Sequence, residues 1–556
     1  MRTFPDDFFG EILTRRAEET PERTAYHFIT GGDTDTVSYR RLHQSVLAAA
    51  AALREHARPG DRVLLMPGPG ERFVVAFLAA LHCGVIAVPS YPPVTEKNLA
   101  RLRGIAVDAE PVAVVADAAV LALLPAGDPV FDRLTRVDAA ALTAPGAGTE
   151  VDPVATTPAF LQYTSGSTGA PKGVLVSHAN LLHNSAVIAE RMRLGAESTL
   201  VSWLPPYHDM GLVGGVLQPL FSGFPGVLTP PMEFLQQPMR WLRLVSRFGA
   251  TVSGGPDFAY ELCARRYRPD DADDLDLSRW QVAFSGSEPI RPSTLDRFTE
   301  AFAPRGFRRS SWFPCYGLAE TTLFVSGGPV GVEPVTRVVG DDSPGAVTEH
   351  VGCGGLPEGL DVRVVRQDGD TELPDGEVGE VVVAGASVAA GYWNGVAADR
   401  FDLRLPGCAE PFLRTGDLGV IADGQLHITG RLKDVLIIRG RNHYPQDVEA
   451  CAERAHDLVR AHGSAVFTVP GPDAERLVVV AEMFQRKDPA GVADAAAAIR
   501  RAVAEELGLR VHTVVAVRAR ALPRTANGKL RRQECRALFL GGALDLLEPA
   551  GQEAGR

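Results

Sequence analysis

Short apolar runs alternate with helical stretches through the first 160 residues, and this alternation restricts the fold more than any other feature. Thr36-Val37-Ser38-Tyr39 reads as a short strand, and Arg40–His56, rich in Ala and Leu, as a helix. Arg62-Val63-Leu64-Leu65 reads as a buried strand, Glu71–Cys83 as a helix and Val85-Ile86-Ala87-Val88 as the next strand. Strands spaced by helices point to βαβ units and a mainly parallel sheet. Val201-Ser202-Trp203-Leu204 and Gln281-Val282-Ala283-Phe284 continue the texture. At 556 residues the chain exceeds the ~250–300 at which one core stops growing, so more than one domain is expected.

The texture changes twice. After Gly327, Gly, Val, Pro and Asp dominate, and Asp361-Val362-Arg363-Val364-Val365 and Gly379-Glu380-Val381-Val382-Val383 read as strands of an antiparallel, hairpin-rich subdomain. Beyond Gly430 the pattern reads as strand Val435–Ile438, helix Pro445–Ala461, strand Arg476–Met483, helix Ala490–Leu507 and strand Val511–Val517, with Gly541–Arg556 as a frayed tail. The expected fold is therefore α/β. A large N-terminal domain (1–430) of βαβ-type subdomains plus a hairpin-rich subdomain precedes a small α+β C-terminal domain (431–556).

Composition excludes several function classes. Apolar residues at 45% and charged residues at 22% are ordinary for a soluble globular chain. No apolar run approaches the ~20 residues of a membrane span, and no apolar stretch follows Met1-Arg2 as a secretory leader would require, so a cytoplasmic protein is expected. A net charge of −12 argues against nucleic acid as a partner, while leaving room for a small anion in a local basic pocket. The seven cysteines are scattered without a CxxC pair, which suits reduced thiols and neither a disulfide framework nor a zinc site. Met66-Pro67-Gly68-Pro69-Gly70 lacks the GxGxxG spacing and reads as a turn; the aspartates of Asp270–Asp276 read as a solvated loop.

One segment carries chemistry on its face. Thr164-Ser165-Gly166-Ser167-Thr168-Gly169-Ala170-Pro171-Lys172-Gly173 packs four hydroxyls, three glycines and a lysine into ten residues. Glycines let backbone N–H groups approach phosphate oxygens, hydroxyls donate further bonds, and Lys172 adds a point charge. Composition alone would favour a flexible Ser/Gly linker. Its expected place, between a strand at Ala159–Gln162 and a helix at Asn180–Arg193, favours an oligophosphate loop. It is not a Walker A loop, because Lys172 follows proline and precedes glycine.

The segment resembles the phosphate loop of the adenylate-forming superfamily, which includes acyl-CoA synthetases, peptide-synthetase adenylation domains, luciferases and fatty acyl-AMP ligases. Further signatures follow in the superfamily's order. Tyr316-Gly317-Leu318-Ala319-Glu320-Thr321 is similar to its central motif, in which Tyr316 would stack on adenine and Glu320 would help to bind Mg²⁺ beside the phosphates. Ser285-Gly286-Ser287-Glu288-Pro289 is similar to the adenine-side loop, so that Gly286, Ser287, Glu288, Gly317 and Thr321 are implied around adenine and ribose. Arg414-Thr415-Gly416-Asp417 matches the ribose motif, with Asp417 on the hydroxyls. Gly430-Arg431-Leu432-Lys433-Asp434 matches the interdomain hinge, with Arg431 on ribose and Lys433 as pivot of a mobile C-terminal domain. Pro523-Arg524-Thr525-Ala526-Asn527-Gly528-Lys529 resembles the motif that carries the catalytic lysine, Lys529. The matches run from about residue 10 to about residue 540.

Within the superfamily, Pro206-Tyr207-His208-Asp209-Met210-Gly211-Leu212, Leu323-Phe324-Val325-Ser326-Gly327-Gly328 and Arg439–Asp447 look most like the fatty acyl-AMP ligases. That resemblance implies ATP and Mg²⁺ as cofactors and activation of a fatty or related acid to acyl-AMP, with His208 at the carboxylate end of the acyl site. It further implies transfer to the phosphopantetheine thiol of an acyl carrier protein supplied in trans. The insertion associated with that acceptor would be Pro329–His350, which is short here. An acyl-CoA synthetase using free CoA, an aryl- or amino-acid-adenylating enzyme and a non-enzymatic binding module are the alternatives. The last would need lesions, yet Lys172, Glu320, Asp417, Arg431 and Lys529 are all present.

Overall fold

The computed structural model describes residues 8–142, 151–164, 171–269, 274–339, 348–367, 369–438, 441–471, 475–484, 489–525 and 528–548. Two parallel-type sheets form the body of the chain before residue 330. Sheet A runs, in spatial order, Phe324–Gly327, Trp312–Gly317, Val282–Ser285, Val252–Gly255, Leu200–Ser202, Gly226–Leu228, Thr24–Thr30 and Asp33–Ser38. Its interior pairings are parallel and its two edge pairings antiparallel. Sheet B runs Thr135–Asp138, Ala113–Ala116, Arg62–Met66, Ile86–Pro89, Phe160–Thr164 and Lys172–Val176, parallel except for its last pair.

Helix Glu71–Cys83 shows why the sheets meet. Every residue from Phe73 to Cys83 is buried, and a helix apolar all round must be covered on all sides. Side chains from both sheets share one hydrophobic cluster with it, Val63 and Ala87 from one and Leu200 and Val252 from the other. The helix ends at Gly84, whose φ of 72° supplies the left-handed cap that a side chain would resist.

Sheet C is the expected hairpin-rich unit, wholly antiparallel: Thr336–Val339, Thr348–Gly355, Gln425–Arg431, Leu413–Ala422, Gly379–Gly385 and Leu360–Val365. The insertion candidate Pro329–His350 contributes its edge hairpin, and residues 340–347 lie outside the described part. Sheet D closes the chain with Val459–Val469, Arg476–Met483, Val511–Arg518 and Leu546–Glu548. Each hydrophobic cluster lies wholly before residue 430 or wholly after 435.

Two expectations need correction here. The helix expected over Pro445–Ala461 ends at Arg454, and Val459–Val469 is a strand. Its Ala- and Arg-rich start keeps a helical texture, but pairing of Ala465, Val466 and Phe467 with Val480, Val479 and Val478 decides the outcome. Within the expected tail, Leu546–Glu548 forms an edge strand against Ala516 and Val517, and residues 549–556 lie outside the described part. Among the described residues no helix is long and apolar enough to cross a membrane. All seven cysteines are free.

Candidate active site

The loop expected at a strand-to-helix junction is instead the tip of a β-hairpin. Strands Phe160–Thr164 and Lys172–Val176 pair antiparallel, with Thr164 opposite Lys172, and the helix begins only at His178 behind a Ser177/Asn180 capping box. Val174-Leu175-Val176 carries strand propensity that the sequence reading passed over. Ser165, Gly166, Ser167, Thr168 and Gly169 lie outside the described residues. The hairpin neck is held firmly: the Tyr163 hydroxyl donates to Asp108 Oδ2 at 2.5 Å, and Gly173 lies so close that a Cβ there would be 2.9 Å from the Tyr163 ring.

Lys172 lies over an aromatic ring whose hydroxyl binds a carboxylate. Its Nζ lies 5.2 Å from the Tyr392 ring centroid, and the Tyr392 hydroxyl donates to Glu320 Oε1 at 2.5 Å. Arg400 donates to the same hydroxyl at 2.5 Å and reaches Glu320 Oε1 at 3.5 Å, while also binding the Arg414 and Thr415 carbonyls. Tyr392 and Arg400 were not singled out from the sequence; 72 and 80 residues separate them from Glu320, and only Tyr392, flanked by Gly391 and Trp393, stands out locally.

Glu320 is buried, and the bonds it accepts fall on Oε1. One carboxylate beside a lysine and an arginine does not make an all-protein cation cage, and no group of three or more ligand-type side chains occurs among the described residues. It does fit Mg²⁺ carried in on nucleotide phosphates, an ion that keeps substrate oxygens and water among its ligands.

The neighbouring motif residues divide by role. Thr321 is fully buried, and its hydroxyl donates to the Leu318 carbonyl at 2.9 Å. Gly317 is required sterically: a Cβ would lie 1.8 Å from the Leu323 carbonyl oxygen, across the pairing with Phe324. Gly286 likewise lets its strand approach the Cys315 carbonyl, 2.9 Å from where a Cβ would stand. Ser287 adopts φ 71°, a turn that points the chain back to Glu288. Glu288 accepts the Phe258 N–H at 2.7 Å, and burial pushes its carboxyl above the usual range.

Opposite these, Tyr316 donates to Asp417 Oδ2 at 2.7 Å, and Arg431 Nε donates to Asp417 Oδ1 at 2.9 Å. Sheet C sets this pair directly, because Asp417 and Arg431 are cross-strand partners. Lys433 sits in the short turn Leu432–Asp434 that leaves sheet C, with an exposed side chain. Partial burial and the nearby Arg400, Lys172 and Arg431 lower its pKa.

Lys529 reaches the same place from the C-terminal unit. Arg431 and burial pull its pKa down to about 8, against the opposing pull of Asp417 and Glu288. Several bonds dock this unit on the helix Asp257–Arg266 and its surroundings. Arg291 Nη1 donates to Glu453 Oε2 at 2.6 Å, His462 Nε2 lies 3.6 Å from Asp257 Oδ2, and Lys97 pairs with Glu534. His208 precedes the N-cap residue Asp209 of the π-helix Met210–Leu217, with Nδ1 2.6 Å from Asp209 Oδ1. Burial raises the Asp209 carboxyl, but His208, the Met210 amide and Lys529 outweigh it and hold the group below its usual range.

Known proteins match this arrangement over nearly the whole chain. Residues 13–393 match the AMP-binding enzyme family, and residues 433–548 match the AMP domain of the Disco-interacting protein 2-like family. The medium-chain-fatty-acid–[acyl-carrier-protein] ligase JamA of Moorena producens is 36% identical, over 97% of this chain and 96% of its own. The long-chain-fatty-acid–AMP ligase FadD26 of Mycobacterium tuberculosis is 36% identical, over 94% and 96%. Among solved structures, the fatty acyl-adenylate ligase of L. pneumophila in complex with acyl adenylate and pyrophosphate superposes with a TM-score of 0.75 at 36% identity, covering 98% of this chain and 97% of that one. A second match, from a study of fatty acyl-adenylate ligases from E. coli and L. pneumophila, has a TM-score of 0.87 at 30% identity, covering 97% and 98%. The chain belongs to the AMP-binding enzymes, among relatives that are fatty acyl-AMP and fatty acid–carrier-protein ligases.

Proposed function

We propose that the protein uses ATP to convert a fatty acid into acyl-AMP with release of pyrophosphate, and then passes the acyl group to the phosphopantetheine thiol of an acyl carrier protein. The observation that carries this reading is the convergence of Lys172, Arg400, Arg431, Lys433 and Lys529 in a chain of net charge −12. Neighbouring cations lower the pKa values of Lys433 and Lys529, and such a cluster marks a place where an anion is to be bound; an oligophosphate supplies that charge.

In the first half-reaction a carboxylate oxygen attacks the α-phosphorus and the bond to the pyrophosphate oxygen breaks. Positioning and charge neutralisation supply most of the rate in such transfers. Thr164, Lys172 and the loop between them would bind the β- and γ-phosphates. Asp417 and Arg431 would hold ribose, Tyr316 would face adenine beside Glu288, and His208, oriented by Asp209, would line the carboxylate. Lys529 would neutralise charge at the reacting phosphate. Glu320 would hold Mg²⁺, whose contribution is to neutralise the phosphates. In the second half, rotation about Lys433 would withdraw Lys529 and open the adenylate to the thiol. Free thiols suit a reducing compartment, and the cytoplasm is the location this reading assigns.

The relatives carry both medium-chain and long-chain names, so the test spans both. ATP–pyrophosphate exchange is measured across alkanoic, aryl and amino acids, and the best acid is then offered holo-carrier protein and CoA separately. Exchange with alkanoic acids and acylation of the carrier protein are expected. Exchange confined to aryl or amino acids would overturn the substrate class, and efficient acyl-CoA formation would overturn the acceptor.

A further inference from the structure

We propose that Phe258, in the N-terminal domain, is a positioning residue for Lys529, seating the lysine loop for adenylation and not for thiol transfer. The inference rests on the function proposed above, in which Lys529 serves only the first half-reaction.

Thr525, Gly528 and Lys529 are hydrogen-bonded to one another. Thr525 N–H donates to the Lys529 carbonyl at 2.8 Å, Lys529 N–H donates to Thr525 Oγ1 at 3.0 Å, and Gly528 N–H donates to the Thr525 carbonyl at 2.9 Å. Arg524 Nη1 adds a bond to the Gly528 carbonyl at 2.9 Å. Whatever fixes Gly528 against the large domain therefore fixes the backbone of Lys529. Gly528 rests on Phe258: a Cβ on Gly528 would lie 2.7 Å from Phe258 Cε1 and 3.0 Å from Cζ. Its φ of 86° is also a conformation that a side chain resists.

Phe258 is itself held from two sides. Its ring meets Trp203 at 6.3 Å and Phe234 at 6.4 Å, edge to face, and those two rings stack at 3.8 Å. Its backbone N–H donates to Glu288, which after Asp417 is the second carboxylate that opposes Arg431 at Lys529. One residue thus provides both the wall for the loop and the orientation of a counter-charge. Rotation of the C-terminal domain would take Gly528 off the ring, so this contact exists only in the arrangement that brings Lys529 to the site.

The test separates the half-reactions. Phe258→Ala should lower ATP–pyrophosphate exchange by ~10-fold or more, since displacement of a reacting group by about 1 Å can cost ~100-fold. Transfer from supplied acyl-AMP to the carrier protein should stay within about twofold of wild type, and Lys529→Ala marks the floor for exchange. Phe258→Leu, which keeps part of the wall, should fall between. Gly528→Ala should also lose exchange, and by a smaller factor in the Phe258→Ala background, where the added methyl has room. Equal loss of both half-reactions, or exchange within twofold of wild type in Phe258→Ala, would overturn the inference. So would full additivity of the two substitutions. A wild-type protein inactive in exchange with every acid would instead overturn the proposed function.

Discussion

Lys529 should impose a basic limit on ATP capture near pH 8. Its pKa is brought down to about 8 from 10.5, chiefly by Arg431 and then by burial. Below that value the ammonium is charged and available to the phosphates; above it the charge is lost. The charged fraction is then about 0.9 at pH 7 and about 0.1 at pH 9, so kcat/KM for ATP should fall about tenfold over that interval, whereas an ordinary lysine would stay charged. Because kcat/KM reports the free enzyme, the limit in kcat should lie higher, where bound phosphates favour the charged form. The assay is initial-rate pyrophosphate exchange from pH 6.5 to 10 at saturating fatty acid. Lys529→Arg, whose guanidinium does not titrate in this range, should be slower but flat across it. Arg431→Gln removes the largest cause of the shift and should move the limit to higher pH. Asp257 titrates in the same range, so the profile is repeated in Asp257→Asn, which should leave the limit in place. A limit near pH 8 that survives in Lys529→Arg would refute the assignment.

Three further outcomes follow from the same geometry. Asp417→Asn removes the charge that holds Arg431 and weakens the acceptor of Tyr316, so ATP affinity measured by calorimetry should drop ~10-fold or more, from charge-assisted bonds worth ~1.5–3 kcal/mol each; unchanged affinity would contradict the ribose role. Gly317→Ala puts a Cβ 1.8 Å from the Leu323 carbonyl oxygen and should destabilise the protein by ~1–3 kcal/mol or more in urea unfolding, a neutral midpoint being the contrary result. Burial, then Glu288, raises the Asp257 carboxyl to about 8, so the folded state keeps a proton that the unfolded chain releases near 3.8 and stability declines as pH rises between those values. Asp257→Asn should accordingly gain in Tm relative to wild type between pH 5 and pH 8.5, and a difference constant with pH would argue against the shift.

The parts of the site legible in the sequence are those whose residues stand in short ordered motifs. Asp417 and Arg431 were assigned to one nucleoside face from two motifs, and they prove to be neighbours because strands Leu413–Ala422 and Gln425–Arg431 form a hairpin. Lys529 was legible for the same reason, although 98 residues separate it from Arg431, the main influence on its charge. Tyr392, Arg400 and Phe258 were not, since each meets the candidate site through a contact that only the tertiary fold creates. Direction of side chains was equally hidden: Thr321 looks like a ligand in sequence, yet its hydroxyl is spent on the Leu318 carbonyl. The β-hairpin under the phosphate loop was missed because the apolar run Val174–Val176 is only three residues long, and its strand character depends on the partner Phe160–Gln162.

The placement of the site at the seam between the two units has an energetic consequence. Lys529 arrives beside Arg431, which with burial lowers its pKa, so the two charges oppose each other in the absence of an anion. Docking contacts such as Arg291 with Glu453 offset part of that repulsion. A triphosphate would remove the repulsion and favour the docked arrangement; departure of pyrophosphate would restore it while the acyl-adenylate stays behind. In the proposed mechanism, like charges at the seam would bias the C-terminal unit towards docking when ATP is present and towards release once the first half-reaction is complete. The order of the two half-reactions would then follow from the charge balance of the proposed site.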